Sequence, residues 1–361
     1  MNILFRYISL AFLRYLAMIL ATLLILTGLI DFIEKVDDFI AHQASLADYC
    51  WYPIYSLPQM LAYAFPLAIL LAAFATIASL SRTNQLTAMY GSGLNFAQVS
   101  RPLFFWGLLF SALSLAGNLW LVPWSSGEAD YLFKTKIRGD ARKEADNHDL
   151  IFRDGNRIIS IASSFPSKGE VDGLTIVEFN HDFVPEKRID ADSARHQQEG
   201  IWRLEDVTLW GFSPDDQDVQ SFTRQAELDL DMHRTPDDML QLWTDPGYMS
   251  ATELRQLIVK LETEGYSPAE HKVEEQSRIS RAAIPLIMIL LGVPFAMQRG
   301  RQVSFSLGVA VSLGIFMVYY LLYATFAAIG NAAILPPPIA AWAANLLMTL
   351  VGIWLFLNVR D

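Results

Sequence analysis

Hydrophobic residues along this chain are concentrated in six long uncharged runs, three before and three after a long polar block. An α-helix rises about 1.5 Å per residue and the hydrocarbon core of a bilayer is about 30 Å thick, so such runs predict membrane-spanning helices. The first run is short, but residues 8–14 can extend it because Arg14 can reach the headgroups. The runs are residues 15–30, 57–81, 102–122, 282–298, 302–330 and 338–359.

The polar block has the period-two pattern of β-strands. Leu228, Leu230 and Met232 alternate with acidic residues, as in a strand with one buried and one solvated face. Apolar segments at residues 158–162, 174–179 and 201–210 are separated by turn-forming residues at 154–156, 172–173 and 199–200. Several short strands without intervening helical periodicity predict an antiparallel sandwich or jelly roll.

After the strands the pattern becomes helical. Ser250 and Glu253 form a capping box, and Gly265 is placed to end the helix that they begin. Four apolar residues fall on one face of that helix, namely Leu254, Leu257, Ile258 and Leu261. We therefore expect membrane helices 1–3 in residues 1–122, an all-β jelly-roll-like domain with connecting helices in residues 123–281, and membrane helices 4–6 in residues 282–361.

Charge indicates how the chain lies in the membrane. With the N-terminus in the cytoplasm, the inner side carries one acidic residue and seven arginines, as the positive-inside rule requires: Arg6, Arg14, Arg82, Arg101, Arg299, Arg301 and Arg360. Both termini are therefore expected in the cytoplasm and the large domain on the outer side, which in a bacterium is the periplasm. Residues 123–281 contain 32 acidic and 19 basic residues, which argues against nucleic acid as a partner.

Motifs for catalysis are absent from the sequence. There is no phosphate-binding Gly-x-x-x-x-Gly-Lys-Ser/Thr loop, and the six histidines include no i, i+4 pair around a glutamate. Ser92 is the best available nucleophile, but its segment holds no base. Cys50 is the single cysteine, so no intrachain disulfide can form. We expect a protein that is not an enzyme and that has no metal or cofactor, and a membrane hydrolase is a distant alternative.

The inner loop between the second and third helices, residues 81–95, has a helical pattern of its own. Thr83 or Asn84 can cap a short helix near residues 82–95. A short helix presented to the cytoplasm is how membrane permeases engage a motor subunit, whereas an ordinary connector in the membrane interface is the alternative. The candidate coupling residues are Arg82, Gln85, Leu86, Met89, Tyr90 and Gly93.

These features resemble the LptF/LptG family of lipopolysaccharide-export permeases, through the whole chain. Residues 82–93 resemble the coupling helix of that family with its Ala-x-x-x-Ser-Gly ending, here Ala88 to Gly93. Residues 153–157 and 201–207 resemble jelly-roll segments of the LptG side of the family. The resemblance implies six membrane helices, an inserted periplasmic jelly roll, and export of lipopolysaccharide without ATP hydrolysis by this chain.

The resemblance also implies partners. They are a paralogous LptF-like permease, two cytoplasmic ABC ATPase subunits, and an LptC-like partner with a single helix and a periplasmic jelly roll. The first helix of one permease and the fifth helix of the other would form the lateral gates, and by position these helices are residues 8–30 and 302–330 here. The chain departs from the family at Gln85, where a glutamate is common, and at the outer end of helix 1, where Lys35 stands among acidic residues instead of several cations.

Candidate substrate contacts follow from charge and aromatic character near the outer membrane face. Lys35, Arg278 and Arg281 can meet anionic headgroups, although a solvated helix end for Lys35 and snorkelling for the two arginines are alternatives. Phe65, Phe316 and Tyr320 can line a cavity for acyl chains or simply contact lipid. The alternative function is a membrane-anchored scaffold whose β domain binds partner proteins without transporting lipid.

Overall fold

The computed structural model describes residues 3–137, 150–165, 169–180, 184–198, 200–212, 219–232, 235, 245–263, 266–298 and 305–358. Gly265 and three of the orientation-setting arginines, Arg299, Arg301 and Arg360, lie outside these ranges. The helices are α1 Ile3–Ala41, α2 Leu46–Arg82, α3 Gln85–Gly91, α4 Phe96–Ala116, α5 Val122–Tyr131, α6 Ala251–Thr263, α7 Ala269–Arg281, α8 Ile284–Gln298, α9 Phe305–Asn331 and α10 Pro337–Leu357.

The membrane part agrees with the six predicted spans. Among the residues that the structure describes, five helical segments are long and apolar enough to cross a bilayer, and a sixth span is formed if α7 and α8, bent by 49° at their junction, are taken together. α2 and α8 contribute many of the most buried residues of the bundle. Their neighbours approach closely at small residues: a Cβ added to Gly308 of α9 would lie 1.8 Å from the ring of Phe74 in α2.

Three helical segments continue beyond the predicted spans. π-helical turns at Gly117–Leu121 and Leu132–Ile137 carry the α4–α5 segment past residue 122 to Ile137. Its end packs with the C-terminal end of α1 and the N-terminal end of α2, where Phe39, Tyr52 and Phe133 are buried together. Burial of these aromatic rings explains why the helices persist where the chain becomes polar.

The inserted domain is one antiparallel sheet of six described strands in chain order: β1 Leu150–Asp154, β2 Arg157–Phe165, β3 Glu170–Phe179, β4 Pro185–Gln198, β5 Ile201–Phe212 and β6 Val219–Asp231. The predicted β domain is confirmed. Strand β4 was not predicted because its sequence is mostly polar. One face is buried, and Ile159, Ile176 and Trp202 on it are fully shielded from solvent.

One predicted turn is wrong. Asp172 and Gly173 lie inside β3, where Asp172 pairs with Ser163 and Leu174 with Ile161. Gly173 has φ +66° and a Cβ there would meet Ala162 at 2.7 Å, so the glycine serves a close approach between strands. The turn at Gly155 and the one at Gly200 do connect neighbouring strands, as predicted.

The helix after the sheet is confirmed in detail. Backbone N–H of Ser250 donates to Glu253, and the Ser250 hydroxyl accepts from the Glu253 N–H, which completes the capping box. The four predicted core residues of α6 are all buried. Tyr266 packs against both this small core and the core of the sheet, so α6 is connected to the β domain.

Candidate functional site

A cavity of ≈ 580 Å³ lies at the end of the helix bundle that leads to the β domain. Its walls come from α2, the α4–α5 segment, α7, the start of α8, α9 and the segment at residues 245–248. Four of the predicted substrate residues line it together: Phe65, Arg278, Arg281 and Tyr320. Volumes of about 300–1,000 Å³ are typical of ligand pockets, so this cavity is large enough for part of a lipid.

One side of the cavity is aromatic. Phe65 packs edge to face against Phe110, with ring centroids 5.1 Å apart. Tyr320 lies beside Phe316, with centroids 4.9 Å apart, although Phe316 is not among the lining residues. Phe316 therefore supports the wall instead of forming it. Tyr248 also lines the cavity, and its burial raises the pKa of its hydroxyl to about 12, so it stays protonated at neutral pH.

The other side is charged. The Arg278 side chain is 2% exposed, and its Nε donates to Oε1 of Glu274, 3.2 Å away and one helical turn earlier. Its Nη2 donates to the carbonyls of Pro246 and Met249, each at 2.7 Å. Arg278 thus fixes the segment between the sheet and α6 against α7. Glu274 was not predicted, although its i, i+4 spacing from Arg278 is a signal that the sequence contains.

The break between α7 and α8 is held by a buried polar network that sequence reasoning missed. The amide of Asn345 in α10 donates to the carbonyl of Ser280 at 2.7 Å. Its Oδ1 accepts from the hydroxyl of Tyr319 at 2.8 Å. All three residues are buried. An asparagine inside an apolar helix is the sequence signal that could have identified this network.

Lys35 does not reach the cavity. Its ammonium group forms an ion pair with Asp31 at 2.6 Å and also donates to the Tyr52 hydroxyl. It lies over the rings of Tyr52 and Phe133, 4.6 and 5.3 Å from their centroids. The ammonium group of Lys35 is therefore bound by side chains of its own chain. The ion pair with Asp31 could be predicted from the i, i+4 spacing. The contacts with the two rings could not, because these residues are distant in the sequence.

The short helix α3 stands between the C-terminal end of α2 and the N-terminal end of α4. Leu86 is buried in the membrane core, and Met89 and Tyr90 pack against that core. Arg82 and Gly93 are exposed. Asn84 occupies the cap position with φ +58°, but its side chain makes no capping hydrogen bond. The predicted apolar face of this helix is thus turned towards its own bundle. Thr87 and Ala88 form its outward face, which is flanked by the exposed Arg82 at the end of α2 and Ser92 just after α3.

Besides its apolar packing, α3 makes polar side-chain contacts with more distant helices. The hydroxyl of Tyr7 in α1 donates to Oε1 of Gln85 at 2.8 Å. The hydroxyl of Tyr90 lies 3.9 Å from the sulfur of Met297, at the end of α8. A movement of α3 would therefore be transmitted to α1 and to α8 through these contacts. Neither contact can be read from the sequence, because the partners are far apart along the chain.

Comparison with known proteins identifies the family. The model of a family described as lipopolysaccharide export system permease LptF/LptG matches residues 6–358. The lipopolysaccharide export system permease protein LptG of Escherichia coli strain K12 is 23% identical over 358 residues, covering 99% of this chain and 98% of that protein. LptG of Escherichia coli O6:H1 strain CFT073 gives the same values. The match extends over the membrane helices and the β domain, and the chain belongs to the LptF/LptG family of lipopolysaccharide export permeases, on its LptG-like side.

Proposed function

We propose that this chain is the permease subunit of an ABC transporter that extracts lipopolysaccharide from the outer leaflet of the inner membrane. It would pass the lipid to a periplasmic β-jelly-roll bridge towards the outer membrane. The observation that carries the proposal is the cavity, which combines an aromatic wall with two arginines beside the linker to the β domain. Acyl chains need the first surface, and a charged headgroup needs the second.

The topology in this proposal follows from charge. Arg6 and Arg14 at the N-terminal end and Arg82 and Arg101 around α3 are placed in the cytoplasm by the positive-inside rule. The domain of residues 123–281 is then periplasmic, and both termini are cytoplasmic. In this orientation the cavity faces the leaflet from which lipopolysaccharide would enter.

The partners are a paralogous LptF-like permease, two cytoplasmic ABC ATPase subunits and a single-helix LptC-like protein with its own jelly roll. Apolar side chains that are exposed along α1 and α9 support lateral contacts at these two helices: Ile25 is 72% exposed and Leu321 69%. A bilayer covers such residues where no partner does. The two helices are the ones that we expect to form the lateral gates.

ATP would be hydrolysed by the separate subunits, with α3 as their docking helix. We assign docking to its outward face, around Arg82 and Ala88, because Leu86, Met89 and Tyr90 are packed against the bundle. Gln85 would then transmit movement to α1 through Tyr7. The alternative of a membrane hydrolase with Ser92 as its nucleophile is less favoured, because the Ser92 hydroxyl already donates to the Met89 carbonyl at 2.7 Å.

Photocrosslinking tests the proposal. A benzophenone amino acid in place of Tyr63, which lines the cavity and is 52% exposed, should form adducts with lipopolysaccharide that depend on ATP turnover by the complex. The same amino acid in place of Trp342, near the outer end of α10 and 39% exposed, is the matched control. Equal lipid adducts at both positions would contradict the proposed pathway. Adducts with proteins alone would favour the scaffold.

A further inference from the structure

One wall of the cavity comes from a short segment between the sheet and α6, residues 245–249, which we call the strap. Asp245, Gly247 and Tyr248 of the strap line the cavity. The strap begins with a turn in which the Gly247 N–H donates to the Asp245 carboxylate at 2.7 Å. The strap also faces α5, where a Cβ added to Gly127 would lie 3.7 Å from the Tyr248 carbonyl oxygen. The strap therefore reaches α5 while it forms part of the cavity wall.

A single side-chain nitrogen holds the strap against α7. Nη2 of Arg278 donates to the carbonyls of Pro246 and Met249, each at 2.7 Å, and lies 3.4 Å from the Gly247 carbonyl. Hydrogen bonds from charged donors are stronger than those from neutral ones, so these contacts act as a latch. The latch is not fully satisfied, because Nη1 of the same guanidinium is buried and has no hydrogen-bond partner among the described residues. An unpaired buried donor destabilises the latched arrangement relative to one in which the guanidinium rearranges.

Arg278 itself is anchored in the helix bundle. Its Nε donates to Oε1 of Glu274 at 3.2 Å, one helical turn earlier. Its backbone carbonyl accepts from the amide of Asn118 at 3.4 Å, in the π-helical turn after α4. Two residues later, the Ser280 carbonyl is held by Asn345 of α10. The α7 side of the latch is therefore fixed, so release of the latch would move the strap and not the helix.

The strap is connected to the β domain by its packing. Met249 is 4% exposed and belongs to the small core of α6. Tyr266 packs against that core and against the core of the sheet. An ion pair between α6 and α7 joins Glu262 to Lys272, whose side chains are 47% and 37% exposed, and such exposed pairs contribute little to stability. A movement of the β domain together with α6 would therefore pull the strap at Met249 and act on the latch.

We propose that the strap is a lid on the side of the cavity that faces the β domain, with Arg278 as its latch and Tyr248 as the side chain that closes the opening. The inference rests on the proposed function, in which lipid leaves the cavity for the β domain. While Nη2 of Arg278 holds the strap carbonyls, the lid is shut and the lipid stays among the membrane helices. When the β domain draws the strap away, the latch opens and the cavity becomes continuous with the domain. Arg278 is a positioning residue in this scheme, because it acts through the strap and need not contact the lipid.

A reversible cross-link tests the lid. Gly127→Cys and Tyr248→Cys, combined with Cys50→Ser to remove the native thiol, are joined by a short bis-methanethiosulfonate reagent in the full complex in nanodiscs. ATP-driven transfer of lipopolysaccharide to a soluble jelly-roll acceptor should fall about tenfold or more, while the complex keeps its bound lipopolysaccharide. Dithiothreitol cleaves the cross-link and should restore transfer in the same sample. The matched control joins Arg203→Cys to Asp229→Cys, which lie opposite each other in β5 and β6, and should change transfer by less than about twofold.

The reactivity of a single thiol tests the latch. In the Cys50→Ser, Tyr248→Cys chain, Arg278→Gln should raise the rate of reaction with a membrane-impermeant maleimide about tenfold, because the strap is no longer held. Arg255→Gln, at an exposed arginine of α6, should leave that rate unchanged. ATP turnover should raise the rate in the chain that keeps Arg278, and should raise it much less once Arg278 is replaced.

Each outcome has a distinct meaning. A cross-linked complex that transfers lipid as fast as before would overturn the lid, and so would a loss of transfer that dithiothreitol does not reverse. A maleimide reaction rate that does not respond to Arg278→Gln would overturn the latch. If cross-linking also removes the bound lipid, the strap controls entry, and a lid on the exit side is wrong. If the unaltered complex neither binds nor transfers lipopolysaccharide, the proposed function fails, and the lid fails with it.

Discussion

Replacement of Asn345 by leucine should destabilise the membrane bundle by about 2 kcal/mol. The substitution removes the hydrogen bond from Asn345 to the Ser280 carbonyl and the one that it accepts from Tyr319. Hydrogen bonds between membrane helices contribute about 0.6 kcal/mol on average and up to about 1.7 kcal/mol. The hydroxyl of Tyr319, a residue that is 1% exposed, would also lose its acceptor, a cost of about 1–3 kcal/mol. The Ser280 carbonyl is not left unpaired, because it still accepts from the Ala283 N–H. The total destabilisation is therefore expected near the lower end of these ranges.

The assay is reversible unfolding of the purified chain in mixed micelles, with the free energy of unfolding taken from a titration with SDS. Thr349→Val is the matched control on the next turn of α10, because the Thr349 hydroxyl donates within its own helix, to the Asn345 carbonyl. We expect that control to shift the free energy by less than about 0.5 kcal/mol. In a Tyr319→Phe background Asn345→Leu should cost measurably less, since the orphaned hydroxyl is gone. This reasoning would be refuted if Asn345→Leu were as stable as the unaltered protein. It would also be refuted if the costs of Asn345→Leu and Tyr319→Phe simply added in the double variant.

Three further predictions use other parts of the chain. Trp202→Ala should destabilise the β domain by about 3–5 kcal/mol, measured by hydrogen exchange of the sheet, whereas Phe222→Ala at a ring 58% exposed should change little. Gly308→Ala should lower bundle stability by about 1–3 kcal/mol through the clash with the facing ring, and Gly314→Ala in the same helix, with open space at its Cβ, should not. Tyr7→Phe should reduce lipid export per ATP hydrolysed about two- to tenfold by removing a hydrogen bond of about 0.5–1.5 kcal/mol. Unchanged coupling would show that α3 does not act through α1.

The fold could be predicted from the sequence to the extent that burial follows a period. The six apolar runs and the alternation around Leu228 each correspond to an observed helix or strand. The capping box at Ser250 was readable because its two residues are three positions apart. Strand β4 could not be predicted, because its many polar side chains hide the alternation of buried and exposed positions. Gly173 was misread because glycine permits both turns and close strand contacts.

The candidate site was only partly predictable. Phe65, Arg278 and Tyr320 were predicted as substrate contacts from their aromatic or charged side chains and their positions in the chain. The structure brings all three to one cavity. The carbonyls that hold Arg278 lie about thirty residues earlier in the chain, and no local pattern reports such a contact. For α3 the sequence pattern revealed an apolar face around Leu86, and the structure packs this face against the chain's own helix bundle. The pattern could not distinguish this packing from docking of a partner protein, because both need apolar side chains at the same positions.

The central claim is that this chain moves lipopolysaccharide as part of a complex. Purification of the tagged chain in mild detergent, followed by mass spectrometry of everything bound to it, tests this most directly. We predict recovery of an ABC ATPase, a second six-helix permease and bound lipopolysaccharide. A chain that is recovered alone, or with periplasmic proteins and no lipid, would contradict the account.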